Sequence, residues 1–264
     1  MKISFRGGNI HYSDTGRGRV IVLIHGYLET MEVWEDFAGQ LAKKFRVITI
    51  DLPGHGQSDC NFETNTMEIF AESIREVLDF LGLEKVFLAG HSMGGYATLA
   101  FLRSYPGYLS GYCLFHSHPF ADSPGGIEKR GSNIRLIEAG KKDEMIPDFV
   151  RGLYAGKNLE VLKESVERSV KIASGTYEKT IIADLRGMME RPSGLHLIEE
   201  GKVPLLWILG TMDSHINHAE IQQKVRMQVN ARVVILYNSG HMGFIEEEEL
   251  AVKYLTEFAD SLSI

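Results

Sequence analysis

Three polar residues in this chain each follow an apolar segment, and their types suit nucleophilic catalysis. Ser92 lies in Gly90-His91-Ser92-Met93-Gly94, which has the spacing G-x-S-x-G, while Asp213 and His241 come after two later apolar runs. A serine hydroxyl is a weak nucleophile unless a base takes its proton, and a histidine base needs a carboxylate to orient it. These residue types therefore indicate acyl transfer through a covalent intermediate.

The segments on either side of Ser92 predict a tight turn between a strand and a helix. Residues 86–89 are apolar and read as a short buried strand, and residues 93–103 carry apolar side chains at helical spacing. A Cβ at Gly90 or Gly94 would clash with the neighbouring strand or helix. The serine is expected to be exposed on a strained backbone, with its hydroxyl near the positive end of the helix.

Strand and helix patterns alternate through both ends of the chain, which predicts a parallel sheet with helices on both faces. The predicted strands are residues 3–5, 10–12, 20–24, 47–50, 86–89, 112–115, 204–209 and 233–237, and residues 14–18 are predicted as a turn. The predicted helices are residues 34–44, 67–81, 93–103, 218–229 and 246–262. Because loops at the carboxyl ends of such strands meet in one crevice, Asp213 and His241 are expected to reach Ser92.

The alternation stops between residues 117 and 201, where helical spacing occurs without a convincing strand. The helical stretches are residues 131–139, 144–154, 159–173 and 178–189. We therefore expect a core formed by residues 1–116 and 202–264, and an inserted helical cap at residues 117–201. The cap is expected to cover the sheet edge that carries Ser92.

With Ser92, Asp213 and His241 in this chain order, the sequence resembles α/β-hydrolase-fold serine hydrolases over almost its whole length. The segments His25-Gly26 and Asp51-x-x-Gly54-x-Gly56-x-Ser58 also match that family. The resemblance implies an α/β-hydrolase fold with a mostly parallel eight-stranded sheet and an inserted helical cap. A serine nucleophile, where dehalogenases and epoxide hydrolases of this fold have aspartate, argues against those two branches.

The resemblance also implies an oxyanion hole formed by the backbone N–H groups of Tyr27 and Met93. Each such donor contributes about 10²–10³ in rate. The expected activity is hydrolysis of an ester-like bond in a small to medium apolar acyl substrate, with no cofactor and no metal. Three enzyme classes would use the same residues: lactonases, thioesterases and hydrolases of carbon–carbon bonds. A small-molecule receptor of this fold with slow turnover is a further alternative.

Other polar residues allow rival interpretations. In some members of this fold, the carboxylate that orients the histidine comes after the strand that follows the nucleophile helix, and the first acid in that place here is Asp122. Asp213 is the preferred candidate, because it follows its predicted strand directly. The pairs His116/His118 and His215/His218 lack further ligands at metal-binding spacing, so we interpret them as wall residues. Structural roles are predicted for His25, Asp51, His55 and His91, and packing of the first helix for Trp34.

The cap sequence predicts an apolar pocket roof. Its apolar candidates are Phe120, Ile134, Met145, Ile146, Phe149, Leu153, Met188 and Met189, with Tyr27, Met93 and Met242-Gly243-Phe244 adding apolar surface near the serine. A substrate carboxylate would find cations in this region, although exposed helix charge is the commoner explanation for such residues. These cations are Lys129, Arg130 and Arg135.

The overall composition limits the function classes. The chain has 264 residues and a net charge of −7, which leaves no basic stripe for a nucleic acid. Its two cysteines, Cys60 and Cys113, are far apart, so neither a disulfide framework nor a thiolate metal site is expected. No signal sequence or membrane-spanning run is evident, which predicts a cytoplasmic monomer or homodimer acting on a small molecule.

Overall fold

One sheet organises the fold of this protein. The computed structural model describes residues 1–59 and 62–262. Within these residues eight strands pair in the order β1-β2-β4-β3-β5-β6-β7-β8, and only the β1/β2 and β2/β4 pairs are antiparallel. The strands are β1 Lys2–Phe5, β2 Gly8–Gly16, β3 Val20–Ile24, β4 Arg46–Ile50, β5 Val86–His91, β6 Leu109–Phe115, β7 Leu205–Gly210 and β8 Ala231–Leu236. The predicted fold class is confirmed.

The central strands are buried on both faces, which explains their continuous apolar sequences. Every residue of β5 and β7 is buried, as are residues 21–24 of β3. The parallel register pairs Ile24 with Gly90, and His91 with Phe115. The loops that follow β3, β5 and β6 therefore leave the sheet at one edge.

Helices cover the sheet. Outside the segment between β6 and β7, they are α1 Glu35–Leu41, α2 Met67–Phe80, α3 Met93–Ser104, α9 His218–Lys224, α10 Gly243–Glu246 and α11 Glu248–Ser261. Helix α2 packs against α3, and helix α1 packs against α11. As predicted, Trp34 packs the first helix onto the sheet: it is fully buried, and its ring centroid lies 5.6 Å from that of Phe37 on α1 and 6.2 Å from that of Phe115 on β6.

The segment between β6 and β7 contains helices and no strand among its residues 116–204, all of which the structure describes. The helices are α4 Pro124–Glu138, α5 Lys142–Arg151, α6 Lys163–Ser174, α7 Glu178–Glu190 and α8 Leu195–Glu200. A fully buried contact ties this segment to the sheet loops: His55 Nε2 lies 3.0 Å from Asp184 Oδ2 on α7, and Asn65 Nδ2 donates to Asp184 Oδ1 at 2.7 Å.

Several predicted boundaries were wrong. Helix α4 begins at Pro124 instead of residue 131, because Ser123 caps it by accepting the Gly126 N–H and a proline suits the first helical position. Strand β2 continues to Gly16, so the predicted turn at residues 14–18 is shorter, and α9 ends at Lys224 instead of 229. Helix α8 was not predicted.

Two further sequence predictions concern cysteines and membranes. Cys113 is a buried free thiol, and burial raises its pKa well above the ordinary value. Cys60 lies outside the described residues. No helix in residues 1–59 and 62–262 has the length and hydropathy needed to cross a bilayer.

Candidate active site

The turn between β5 and α3 holds Ser92 in an unusual backbone conformation. Ser92 has φ 49° and ψ −113°, outside the regions that residues other than glycine favour. The surrounding glycines are required by space: a Cβ at Gly90 would lie 2.2 Å from the Gly94 carbonyl oxygen, and one at Gly94 would lie 2.5 Å from that of His25. The predicted crowding and strain at this turn are confirmed.

The structure brings Asp213 and His241 together from the ends of β7 and β8. His241 Nδ1 donates to Asp213 Oδ2 at 2.8 Å, and the other carboxylate oxygen accepts the backbone N–H groups of His215 and Ile216 at 2.8 and 2.9 Å. With its proton on Nδ1, the His241 ring presents Nε2 as a base. Ser92 and His241 line the same cleft.

Burial and charge pull the pKa values of this pair in opposite directions. Burial alone lowers the pKa of His241, but the Asp213 carboxylate and its hydrogen bond raise the pKa above the ordinary 6.5. Burial alone raises the pKa of Asp213, but the imidazoles of His241 and His116 hold the pKa well below its usual range. Asp213 therefore stays ionised and favours the imidazolium form of His241.

His116 is a second imidazole on the same carboxylate, and its interpretation as a wall residue was wrong. His116 is fully buried at the end of β6, with φ 45°, and its Nδ1 donates to Asp213 Oδ2 at 3.2 Å. Its Nε2 has no hydrogen-bond partner among the described residues. Burial lowers the pKa of His116 to about 4, so the ring is neutral near pH 7. The ligand atoms of His116, Asp213 and His241 lie within 4.8 Å of one another, but they already hydrogen-bond among themselves.

Glu29 joins three loops of the site, which the sequence analysis missed. Its Oε2 accepts the Gly26 N–H at 2.6 Å and lies 3.0 Å from His91 Nδ1. His91 Nε2 in turn donates to the His241 carbonyl oxygen at 2.9 Å. One buried carboxylate thus links the loop after β3, the end of β5 and the loop after β8. The available signal was an acid in the short segment 27–31 that directly follows the His25-Gly26 motif.

The backbone N–H groups predicted for an oxyanion hole are free to bind a ligand. Among the described residues, neither Tyr27 nor Met93 donates its N–H to a protein acceptor. The loop that carries Tyr27 is fixed on both sides. Glu29 accepts from Gly26, and His25 Nε2 accepts the Leu52 N–H at 3.0 Å, as the predicted structural role of His25 requires.

The loop that carries His241 is also held on both sides. Glu246 Oε1 accepts the N–H groups of Gly240 and Met242 at 2.8 and 3.1 Å. The His241 N–H donates to the Leu153 carbonyl oxygen at 2.6 Å, which ties the loop to the segment after α5. The imidazole is therefore positioned by the core and by the inserted helices together.

The cleft above Ser92 has a volume of about 180 Å³ and mixed walls. Of the predicted apolar residues, Phe149, Leu153, Met188 and Tyr27 line it, together with the unpredicted Leu185 and Ile216. The others do not line it, and Met93, Met242 and Phe244 are instead buried beneath the site. The polar lining was underestimated. It comprises Glu29, Tyr96, His118, Gly126, Lys129, Arg130, Asn133 and His215.

The rival site residues have other partners. Asp122 pairs with Arg130 and with Arg191 instead of with His241. Arg135 donates to Ser132 and lies outside the cleft, as does His218. Asp51 fixes its glycine loop as predicted, since Oδ2 accepts the Gln57 N–H at 3.0 Å and Oδ1 accepts the Met31 N–H at 2.8 Å.

Comparisons with known proteins agree with the fold. A family model described as "Alpha/beta hydrolase family" matches residues 21–253. The chain is 28% identical over 273 residues to 2-hydroxy-6-oxononadienedioate/2-hydroxy-6-oxononatrienedioate hydrolase of Paraburkholderia phymatum, covering 94% of this chain and 90% of that protein. It is 27% identical to a thermophilic esterase from Thermogutta terrifontis, solved with malate bound, with a TM-score of 0.92 over 98% of this chain and 97% of that chain. An enol-lactonase from Burkholderia xenovorans is 20% identical and shares the fold, with a TM-score of 0.89 over 99% and 100% of the two chains.

Proposed function

The chain belongs to the alpha/beta hydrolase family, and from that premise we propose that it is a serine hydrolase cleaving ester-like bonds of small molecules. The observation that carries the proposal is the shared cleft: Ser92 and His241 both line it, and Asp213 holds the imidazole from behind. The free N–H groups of Tyr27 and Met93 add support, because acyl transfer needs donors for the oxyanion.

The proposed reaction begins with attack of Ser92 Oγ on the substrate carbonyl carbon while His241 Nε2 takes the hydroxyl proton. The tetrahedral oxyanion accepts hydrogen bonds from Tyr27 and Met93. His241 then donates its proton to the leaving group, and an acyl-enzyme forms on Ser92. A water molecule, deprotonated by His241, attacks the acyl carbon, and the bond from that carbon to Ser92 Oγ then breaks as His241 returns the proton to Ser92 Oγ and the acid leaves. Asp213 stabilises the imidazolium in each half of the cycle.

Labelling with a fluorophosphonate tests the nucleophile directly. The wild-type protein is expected to gain one adduct on Ser92, found by peptide mass spectrometry, and to hydrolyse p-nitrophenyl esters with multiple turnovers. Ser92→Ala should abolish both, whereas the matched change Ser132→Ala on α4 should leave both intact. An adduct elsewhere, or unchanged ester hydrolysis by Ser92→Ala, would refute the proposal.

Hydrolysis of a carbon–carbon bond is the second candidate, favoured by the name of the Paraburkholderia phymatum relative. The same three residues would serve it, and lactones form a third substrate type with the same chemistry. A panel of esters, thioesters, lactones and vinylogous diketones compared by kcat/KM separates these classes. A receptor would instead show a large ligand-induced rise in Tm with negligible turnover.

A further inference from the structure

We propose that the cleft contains a carboxylate-binding subsite, formed by Lys129 and Asn133 on α4 and by the hydroxyl of Tyr96. The preferred substrate would then carry an anionic group in addition to the bond that is cleaved. This inference rests on the proposed function and names the substrate class for the same site.

Helix α4 places one polar face along the cleft. Gly126, Lys129 and Asn133 follow one another at intervals of three and four residues, and all three line the cavity that contains Ser92. Among the described residues, the side chains of Lys129 and Asn133 have no hydrogen-bond or ion-pair partner. A cation and an amide are therefore available to a ligand within reach of the proposed nucleophile.

A second positive charge lies behind this face. Asp122 Oδ2 accepts from Arg130 Nε at 2.5 Å, and Asp122 Oδ1 lies 2.8 Å from Arg191 Nη2. Two guanidinium groups thus share one carboxylate, and the cluster keeps one net positive charge. Arg130 lines the cleft, and Arg191 is buried, with 4% of its side chain exposed.

Tyr96 is prepared to donate a hydrogen bond. The Phe120 N–H donates to His118 Nδ1 at 3.2 Å, so the proton of the His118 ring is on Nε2. That nitrogen lies 3.0 Å from the Tyr96 hydroxyl oxygen and donates to it. Burial and the nearby Arg191 lower the pKa of His118 to about 4, which keeps the ring neutral near pH 7. The hydroxyl proton of Tyr96 is left for another acceptor, and Tyr96 lines the cleft.

Among the described residues that line this cleft, the one acidic side chain lies on the loop after β3 and not on the α4 wall. Glu29 is engaged by the Gly26 N–H and by His91. Lys129 and Arg130 also act on His215, which lines the same cleft: both lower its pKa, after the larger effects of burial and His241, which lower it, and of Asp213, which raises it. An anionic group would therefore find a wall of positive potential and hydrogen-bond donors, with apolar surface from Leu185 and Met188 beside it.

Two pairs of substrates that differ in charge test the subsite. The first pair, mono-p-nitrophenyl glutarate and its methyl ester, places the carboxylate on the acyl side. The second pair, 4-acetoxybenzoate and its methyl ester, places it on the leaving group. In at least one pair we expect kcat/KM of the wild-type protein to favour the anion about 10-fold, as one charge-assisted hydrogen bond would give.

Lys129→Gln and Tyr96→Phe should each reduce that preference, measured as the ratio of kcat/KM for the anion to kcat/KM for the neutral ester, about 5-fold or more. Arg135→Gln, on the same helix but outside the cleft, is the matched control and should preserve the preference. Equal kcat/KM for charged and neutral esters in both pairs, or equal effects of Lys129→Gln and Arg135→Gln, would overturn the subsite. Sustained hydrolysis of the neutral esters in that case would leave the proposed function standing.

A binding measurement keeps the inference testable if no ester is hydrolysed. Calorimetric titration of the Ser92→Ala variant with monomethyl glutarate and with dimethyl glutarate compares the same skeleton with and without charge. Saturable binding of the monoester that is stronger than that of the diester, and that weakens about 5-fold or more with Lys129→Gln, would support the subsite. Absence of such a difference would refute it.

Discussion

Replacing Glu29 by glutamine tests whether one buried carboxylate positions the loops of the proposed active site. The side chain is 6% exposed, and a single oxygen accepts the Gly26 N–H and lies 3.0 Å from His91 Nδ1. Hydrogen bonds to a charged group contribute about 1.5–3 kcal/mol each, and a neutral one about 1 kcal/mol. Glutamine can retain one neutral bond, so we expect Glu29→Gln to lower the free energy of unfolding by about 3 kcal/mol.

The kinetic effect follows from the neighbouring peptide group. When an amide replaces the carboxylate, the hydrogen bond from the Gly26 N–H weakens, and the Tyr27 N–H that follows it is held less firmly in direction. A lost oxyanion donor costs about 10²–10³ in kcat, and a loosened one costs less, so we expect kcat to fall about 10–100-fold. KM should change little, because the oxyanion forms only after attack.

The assay combines steady-state hydrolysis of a p-nitrophenyl ester with fluorophosphonate titration, which counts folded active sites. Glu32→Gln is the matched control, since Glu32 is exposed and its carboxylate has no partner among the described residues. If kcat per titrated site in Glu29→Gln stays within about twofold of that in Glu32→Gln, the positioning role is refuted. A loss of unfolding free energy without a kinetic change would leave Glu29 a purely structural residue.

Three further predictions concern the same region. His241 must be neutral to accept a proton, and its pKa is raised, so the kcat/KM of the wild-type protein should rise with pH through a pKa above 6.5. Asp213→Asn should move this rise in kcat/KM to lower pH and reduce kcat about 10³–10⁴-fold. Profiles of rate against pH would show both effects. Burial lowers the pKa of His116 to about 4, so the stability that the neutral His116 ring contributes is complete above pH 6.5 and is lost as pH falls toward 4. Urea denaturation should show that the free energy of unfolding falls by about 3 kcal/mol over this range, and that the fall is smaller in His116→Gln. Gly94→Ala should abolish soluble folded protein, because the added Cβ would meet two backbone carbonyl oxygens. In Gly39→Ala on α1, by contrast, the added Cβ has no neighbouring atom within 4 Å, and the free energy of unfolding should rise by about 0.5–1 kcal/mol in the same assay.

Features determined by local pattern were predictable. The turn at Ser92 follows from a strand, a helix and glycines that are adjacent in sequence, and the α/β order of the core follows from apolar runs that are each buried as a strand. Asp213 and His241 were located because each comes directly after such a run. Their meeting then depends only on the parallel direction of neighbouring strands.

Contacts between distant loops were not predictable in the same way. The partnership of Glu29 with His91, and that of His116 with Asp213, join residues 62 and 97 positions apart, and no local spacing encodes them. The helices between β6 and β7 were hard to interpret for a different reason. The sequence of such a helix shows which residues form an apolar or polar stripe, but not whether that stripe faces the core formed by these helices or the cleft. Lys129 is an example: its residue type fits an exposed helix, and only the structure shows that it lines the cavity.

The positive φ of Ser92 connects this site to the evolutionary history of the chain. A residue other than glycine in such a conformation costs about 1–3 kcal/mol, and glycine would adopt it without that cost. Folding alone would therefore select glycine at position 92. The presence of serine at this strained position is what the proposed nucleophilic role of its hydroxyl requires.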